Sequence, residues 1–105
     1  MLVSNSTKYA SGDVVSFKMV NGDEVVAKVL ESADDGWQVA APCTVMPSQQ
    51  GIGLMQSLFS AKEDCKVFIS KQHVMFHAES LEQMRVHYIK TTTGVDVIAK
   101  PGIIV

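Results

Sequence analysis

The residue types in this chain that could do chemistry are three histidines (His73, His77 and His87), two cysteines (Cys43 and Cys65) and three adjacent acidic pairs. His73 and His77 would be neighbours on a helix. The run from Phe68 to Ala78 reads as strand, however, where four residues span roughly 13 Å, too far for one metal ion. The cysteines lack C-x-x-C spacing, so no zinc site is expected. Cys65 with His73 or His77 would make a nucleophile and a base. No strand-to-helix elbow and no basic cluster activates that thiol. Both cysteines read as reduced thiols of a cytosolic protein. The pairs Asp23-Glu24, Asp34-Asp35 and Glu63-Asp64 sit in turn signals, where carboxylates are ordinarily solvated. Gly51-x-Gly53 has no following Lys-Ser/Thr and makes no phosphate loop. The chain is therefore expected to be no enzyme, with no cofactor and no metal.

Two places suit recognition instead. In Asp34-Asp35-Gly36-Trp37-Gln38 an aromatic lies beside a turn with an amide next to it. Such a pair can stack a base and read its edge. The more ordinary reading is that Trp37 begins a strand and packs in the core, since Trp is mostly a packing residue in small domains. The second place is Lys71-Gln72-His73, a polar interruption between two apolar runs, which also suits an ordinary hairpin turn.

These groups are positioned by an all-β pattern. Asp13 to Val20 and Asp23 to Ala33 are alternating runs joined by Asn21-Gly22, the signature of a type I′ hairpin. Val15, Phe17 and Met19 share one face, as do Val25, Ala27 and Val29. The second run exceeds the usual strand of about 5–6 residues and must bend, which helps a small sheet close. A third strand follows Asp34-Asp35-Gly36. Met46 to Gly53, with Pro47 and two glycines, reads as loop. Residues 54–60 read as a fourth strand, apolar on both faces. Residues 66–70 and 74–78 read as short strands. Ser80-Leu81-Glu82-Gln83 is a capping box that opens a helix over about residues 80–91. Leu81, Met84 and Tyr88 form its apolar stripe, and Thr91 to Gly94 end it. Residues 1–12 read as a loose polar lead-in. The apolar stretch 95–105 is either a strand for a neighbour or a disordered end.

The stretch Phe17-Lys18-x-Val20-Asn21-Gly22-x-Glu24, then Lys28-Val29 and Asp34-x-x-Trp37-Gln38-Val39, resembles the first motif of the Sm and Sm-like protein family. Trp37 and Gln38 stand where that family has Met and Asn. The layout is similar to Sm-like proteins of marine cyanobacterial phages. Ile69 and Val74 match the ends of the family's second motif, while Ser70 and Lys71 replace its Arg and Gly. The resemblance covers residues 13–78. It implies a strongly bent SH3-like barrel of about five strands, with 79–105 as a C-terminal helix and tail. It also implies a homo-oligomeric ring of about five to seven subunits. The fourth strand would pair with a neighbour's fifth through Leu54, Met55, Leu58, Phe59, Val74 and Phe76. Single-stranded RNA would then bind at the pore through Asp34, Trp37, Gln38, Lys71 and His73. A ring that binds a protein partner without RNA is the alternative.

The bulk properties bound this reading. The 105 residues make one domain. With 47% hydrophobic and only 19% charged residues, some apolar surface is expected between subunits. A formal charge of −2 leaves no global basic excess, so nucleic acid would need a local patch. No apolar run is long enough to cross a membrane, and no leader pattern is visible. The expected location is cytoplasmic, in the host cytoplasm if the chain is phage-encoded.

Overall fold

The computed structural model describes residues 8–62 and 64–94. Residues 1–7 of the expected loose lead-in, Glu63 of the acidic turn pair and the stretch 95–105, expected as a strand for a neighbour or a disordered end, lie outside the described residues. The chain forms six antiparallel strands and one helix: β1 (Val14–Met19), β2 (Glu24–Ala33), β3 (Gly36–Ser48), β4 (Gly51–Gln56), β5 (Lys66–Ser70), β6 (Val74–Glu79) and α1 (Glu82–Thr93). A 3-10 turn, Lys71–His73, joins β5 to β6. The strand order is β4-β3-β2-β1-β6, with β5 also on β3. Among the described residues no pairing joins β6 to β4 or β5, so the sheet does not close.

The β1–β2 hairpin has a different turn from the type I′ expected. Gly22 has φ 98°, whereas Ala41 is the only described non-glycine residue at positive φ, so Asn21 keeps negative φ. The Gly22 N–H donates to Met19 O at 2.9 Å, and the Met19 N–H donates to Asp23 O at 2.8 Å. This is a tight turn followed by a glycine bulge, the usual three-residue hairpin. Asp34 and Asp35 make the two-residue link between paired Ala33 and Gly36.

β3 organises the sheet. Its first half, Gly36–Ala40, pairs with β5, and its second half, Cys43–Ser48, pairs with β4 on the same edge. The switch falls at a bulge, where the β2 register steps from Val26↔Cys43 to Lys28↔Ala40. Ala41 takes φ 50° there.

The stretch expected to be a loop is thus a hairpin. Pro47 pairs with Ile52, and Gln49-Gln50 turn the chain. Proline is tolerated because β3 has left β2 by this point and is an edge strand. The fourth strand is displaced accordingly: it covers 51–56, not 54–60. Leu58 and Phe59 lie in the loop after it. The Gln56 side-chain amide holds that loop by donating to the Leu58 and Ala61 carbonyls at 2.7 and 2.8 Å.

Each face of the sheet carries a buried cluster. One carries Val15, Phe17, Val25, Ala27, Val29, Trp37, Val39 and Ile69, which confirms the alternation read from β1 and β2. The other carries Val14, Val26, Ala41, Cys43 and Val45 beneath Tyr88 of α1. The helix starts two residues later than expected and runs two further. Leu81 is the N-cap residue and makes no side-chain cap bond. Ser80 Oγ instead bonds Ser16 Oγ at 2.7 Å, which takes it out of the capping box. The threonines do not end the helix, because Thr92 and Thr93 return their hydroxyls to the Tyr88 and Ile89 carbonyls at 2.9 and 2.6 Å. Gly94, at φ 76°, closes it. The docked stripe is Met84, Tyr88 and Ile89. Leu81 is 77% exposed, contrary to expectation.

Candidate functional site

The two candidate recognition turns lie at one end of the sheet. Gly36 pairs with Ser70, and the Lys71 N–H donates to the Asp35 carbonyl at 2.8 Å. Ser70 Oγ accepts the Gln72 N–H and caps the 3-10 turn. The His73 carbonyl accepts the Val20 N–H at 2.9 Å, which brings the β1–β2 turn alongside. Asp34, Lys71 and His73 are exposed here, and Gln38 is half-buried. The charge is mixed: Asp34 and Asp35 face one lysine and one histidine. This rim is no general polyanion site, and any phosphate contact would centre on Lys71.

Trp37 does not present its face to solvent. It is 1% exposed, with its ring 5.1 Å from that of Phe17 and 4.7 Å from that of His77. The packing alternative describes its position: β3 alternates from Gly36, so Trp37 and Val39 point into the core and Gln38 points away. Trp37 lines the floor of an open groove of about 320 Å³, shared with Lys71, Val74, Met75, Phe76 and His77.

His77 belongs to this packed cluster rather than to a metal site. Its Nδ1 lies 2.6 Å from the Tyr9 hydroxyl. Tyr9 is held in turn by Ser32, whose Oγ accepts the Tyr9 N–H at 2.9 Å. Burial, then the neighbouring Lys71 ammonium, push the imidazole below its ordinary pKa. His73 sits in the 3-10 turn and His77 in β6, so the two are not on one strand. No group of three His, Cys, Asp or Glu that could hold a metal ion occurs among the described residues. Cys43 and Cys65 are both free thiols. Burial pushes the Cys43 thiol pKa up, with a smaller push from Cys65, so Cys43 is a poor nucleophile.

The residues read as subunit contacts separate into two groups. Leu54 and Val74 are half-buried and pack on the two cores of their own chain. Met55, Leu58, Phe59 and Phe76 are exposed, Phe76 at 63% on the outer strand β6. Sequence reasoning missed Phe68. It alternates with the inward Val67 and Ile69, and that alternation is the signal that places its ring outside.

No protein-family model and no curated protein matches the chain. No described helix is long and apolar enough to cross a membrane.

Proposed function

We propose that this chain is a non-catalytic Sm-like module that assembles into a ring and binds single-stranded RNA weakly at the rim made by residues 34–38 and 71–73. The observation that carries the reading is the Lys71 N–H to Asp35 carbonyl bond of 2.8 Å. It joins two turns that the Sm resemblance assigns to one RNA-facing rim. The strand order, with the last strand returning to β1 after a 3-10 turn, supports an opened SH3-like barrel as the underlying plan. On this reading β6 offers one outer edge and β4 with β5 the other, and rotational pairing between copies removes both. Lys71, His73, Gln38 and Asp34 meet the RNA, and Trp37 supports the turn from beneath. Gln38 offers a donor and an acceptor to a base edge.

Native mass spectrometry with and without a short oligouridylate tests both parts. A closed assembly of about five to seven copies that takes up the oligonucleotide is the expected result. A stable monomer at micromolar concentration overturns the assembly, and no uptake at low salt overturns the RNA part.

A ring that binds a protein partner is the second reading, favoured by the burial of Trp37 and by exposed Met75 and Phe76. Salt separates the two. RNA binding weakens steeply as salt rises, whereas docking through apolar surface does not.

A further inference from the structure

We propose that Phe68, flanked by Gln38 and Lys66 on the outer face of the sheet, is the surface on which a base of single-stranded RNA stacks. This rests on the RNA reading above and supplies the aromatic that the buried Trp37 withholds. Phe68 pairs with Gln38 across β5 and β3, and paired residues point to the same side. Glu31 of β2 pairs with Gln38 and joins that side. Lys66 and Ser70 share it with Phe68, because side chains two apart on a strand do.

The ring lies close to the backbone of Gly36. A Cβ built on Gly36 would fall 2.7 and 2.9 Å from two of the Phe68 ring carbons, so the ring lies over the turn at Gly36. That turn is the one whose Asp35 carbonyl holds Lys71. Phe68 is nevertheless 47% exposed. A phenyl ring lying over backbone and half open to solvent offers aromatic surface on which a base can stack.

The surrounding chemistry suits one base and its phosphates. Gln38 carries a donor and an acceptor beside the ring. Lys66 lies two residues along β5 on the same side, so a strand crossing Phe68 meets a cation there. Glu31 and Asp34 bound the path and disfavour a diffuse polyanion. Affinity should therefore come from stacking and favour purines, which stack best.

Fluorescence anisotropy with labelled oligoadenylate and oligouridylate RNA, at low salt, tests this. The wild-type chain is compared with Phe68→Leu and Phe68→Trp. Leucine keeps apolar bulk over Gly36 without a π-face, and circular dichroism checks that the fold is kept. The expected result is tighter binding of oligoadenylate by the wild type. Phe68→Leu should bind about 5- to 150-fold more weakly. Phe68→Trp should restore binding, with quenching of its added fluorescence. Wild-type binding that survives Phe68→Leu unchanged overturns the role of Phe68 and leaves the rim reading standing. No binding by the wild type overturns both, and leaves the exposed ring as a surface for protein.

Discussion

The hydroxyl of Tyr88 in α1 accepts the backbone N–H of Lys28 in β2 at 3.1 Å, across 60 residues of chain. The same hydroxyl donates to the Ala40 and Ala41 carbonyls at 2.8 and 3.0 Å. Lys28 and Ala40 are the register pair next to the β3 bulge, and Ala41 is a bulge residue with no β2 partner. The helix therefore does more than cover apolar surface: it supplies hydrogen bonds to the sheet beside the β3 bulge.

Tyr88→Phe keeps the ring and removes the hydroxyl's three hydrogen bonds to the Lys28 amide and the Ala40 and Ala41 carbonyls. Stability should fall by about 1–3 kcal/mol, read from the urea midpoint at unchanged m-value. An unchanged midpoint would mean that water reaches the bulge.

Leu81→Ser should be nearly neutral, because Leu81 is 77% exposed. Met84→Ala, on the docked side, should cost more than Leu81→Ser. The two melting temperatures decide it, and equal values would count against the observed docking face.

His77 should make stability depend on pH. Its folded pKa is depressed by burial and by Lys71, so the unfolded chain takes the proton first. Stability is full above the unfolded imidazole value of about 6.5. It should decline as pH falls through that value and level off below the folded one. Urea midpoints from pH 8 to pH 5 measure the slope, which His77→Gln should flatten.

Gly36→Ala should destabilise by about 1–3 kcal/mol or more. The new methyl would meet the Ile69 carbonyl oxygen, a backbone atom that cannot swing aside, as well as the Phe68 ring. A wild-type melting temperature in this variant would show that β5 can shift away from β3.

Phe76→Asp should disperse the proposed assembly without unfolding the monomer, since Phe76 is 63% exposed on the outer strand. Light scattering after gel filtration gives the mass, and circular dichroism reports the fold. Retention of the wild-type mass would remove β6 from the contact.

Local physics explains what was legible in the chain. The inward faces of β1 and β2 follow from alternation, because a period of two cannot place Val15 and Phe17 apart. The strands around Lys71 were legible from two short apolar runs and a polar break. Long-range pairing decided the rest. Pro47 and Gly51 signal a loop by type, yet they pair because β3 continues past β2. Ser80 has the composition of a cap, but Ser16 competes for its hydroxyl from 64 residues away. At the site, the two turns could be found separately, whereas their contact through Asp35 and Lys71 is a tertiary fact. Trp37 shows the limit most plainly: an aromatic after a turn is inward or outward according to one residue of register.

β4 and β5 lie end to end along one edge of β3, so they act as a single strand interrupted by a detour. The register of each half is set by β3, not by the length of what connects them. That connector can therefore lengthen or shorten with little effect on the rest, since doubling a flexible loop costs only about 0.6 kcal/mol. Related chains should differ most in length here. The same place would accept a grafted peptide or a nick, with both halves still held by the strand they share.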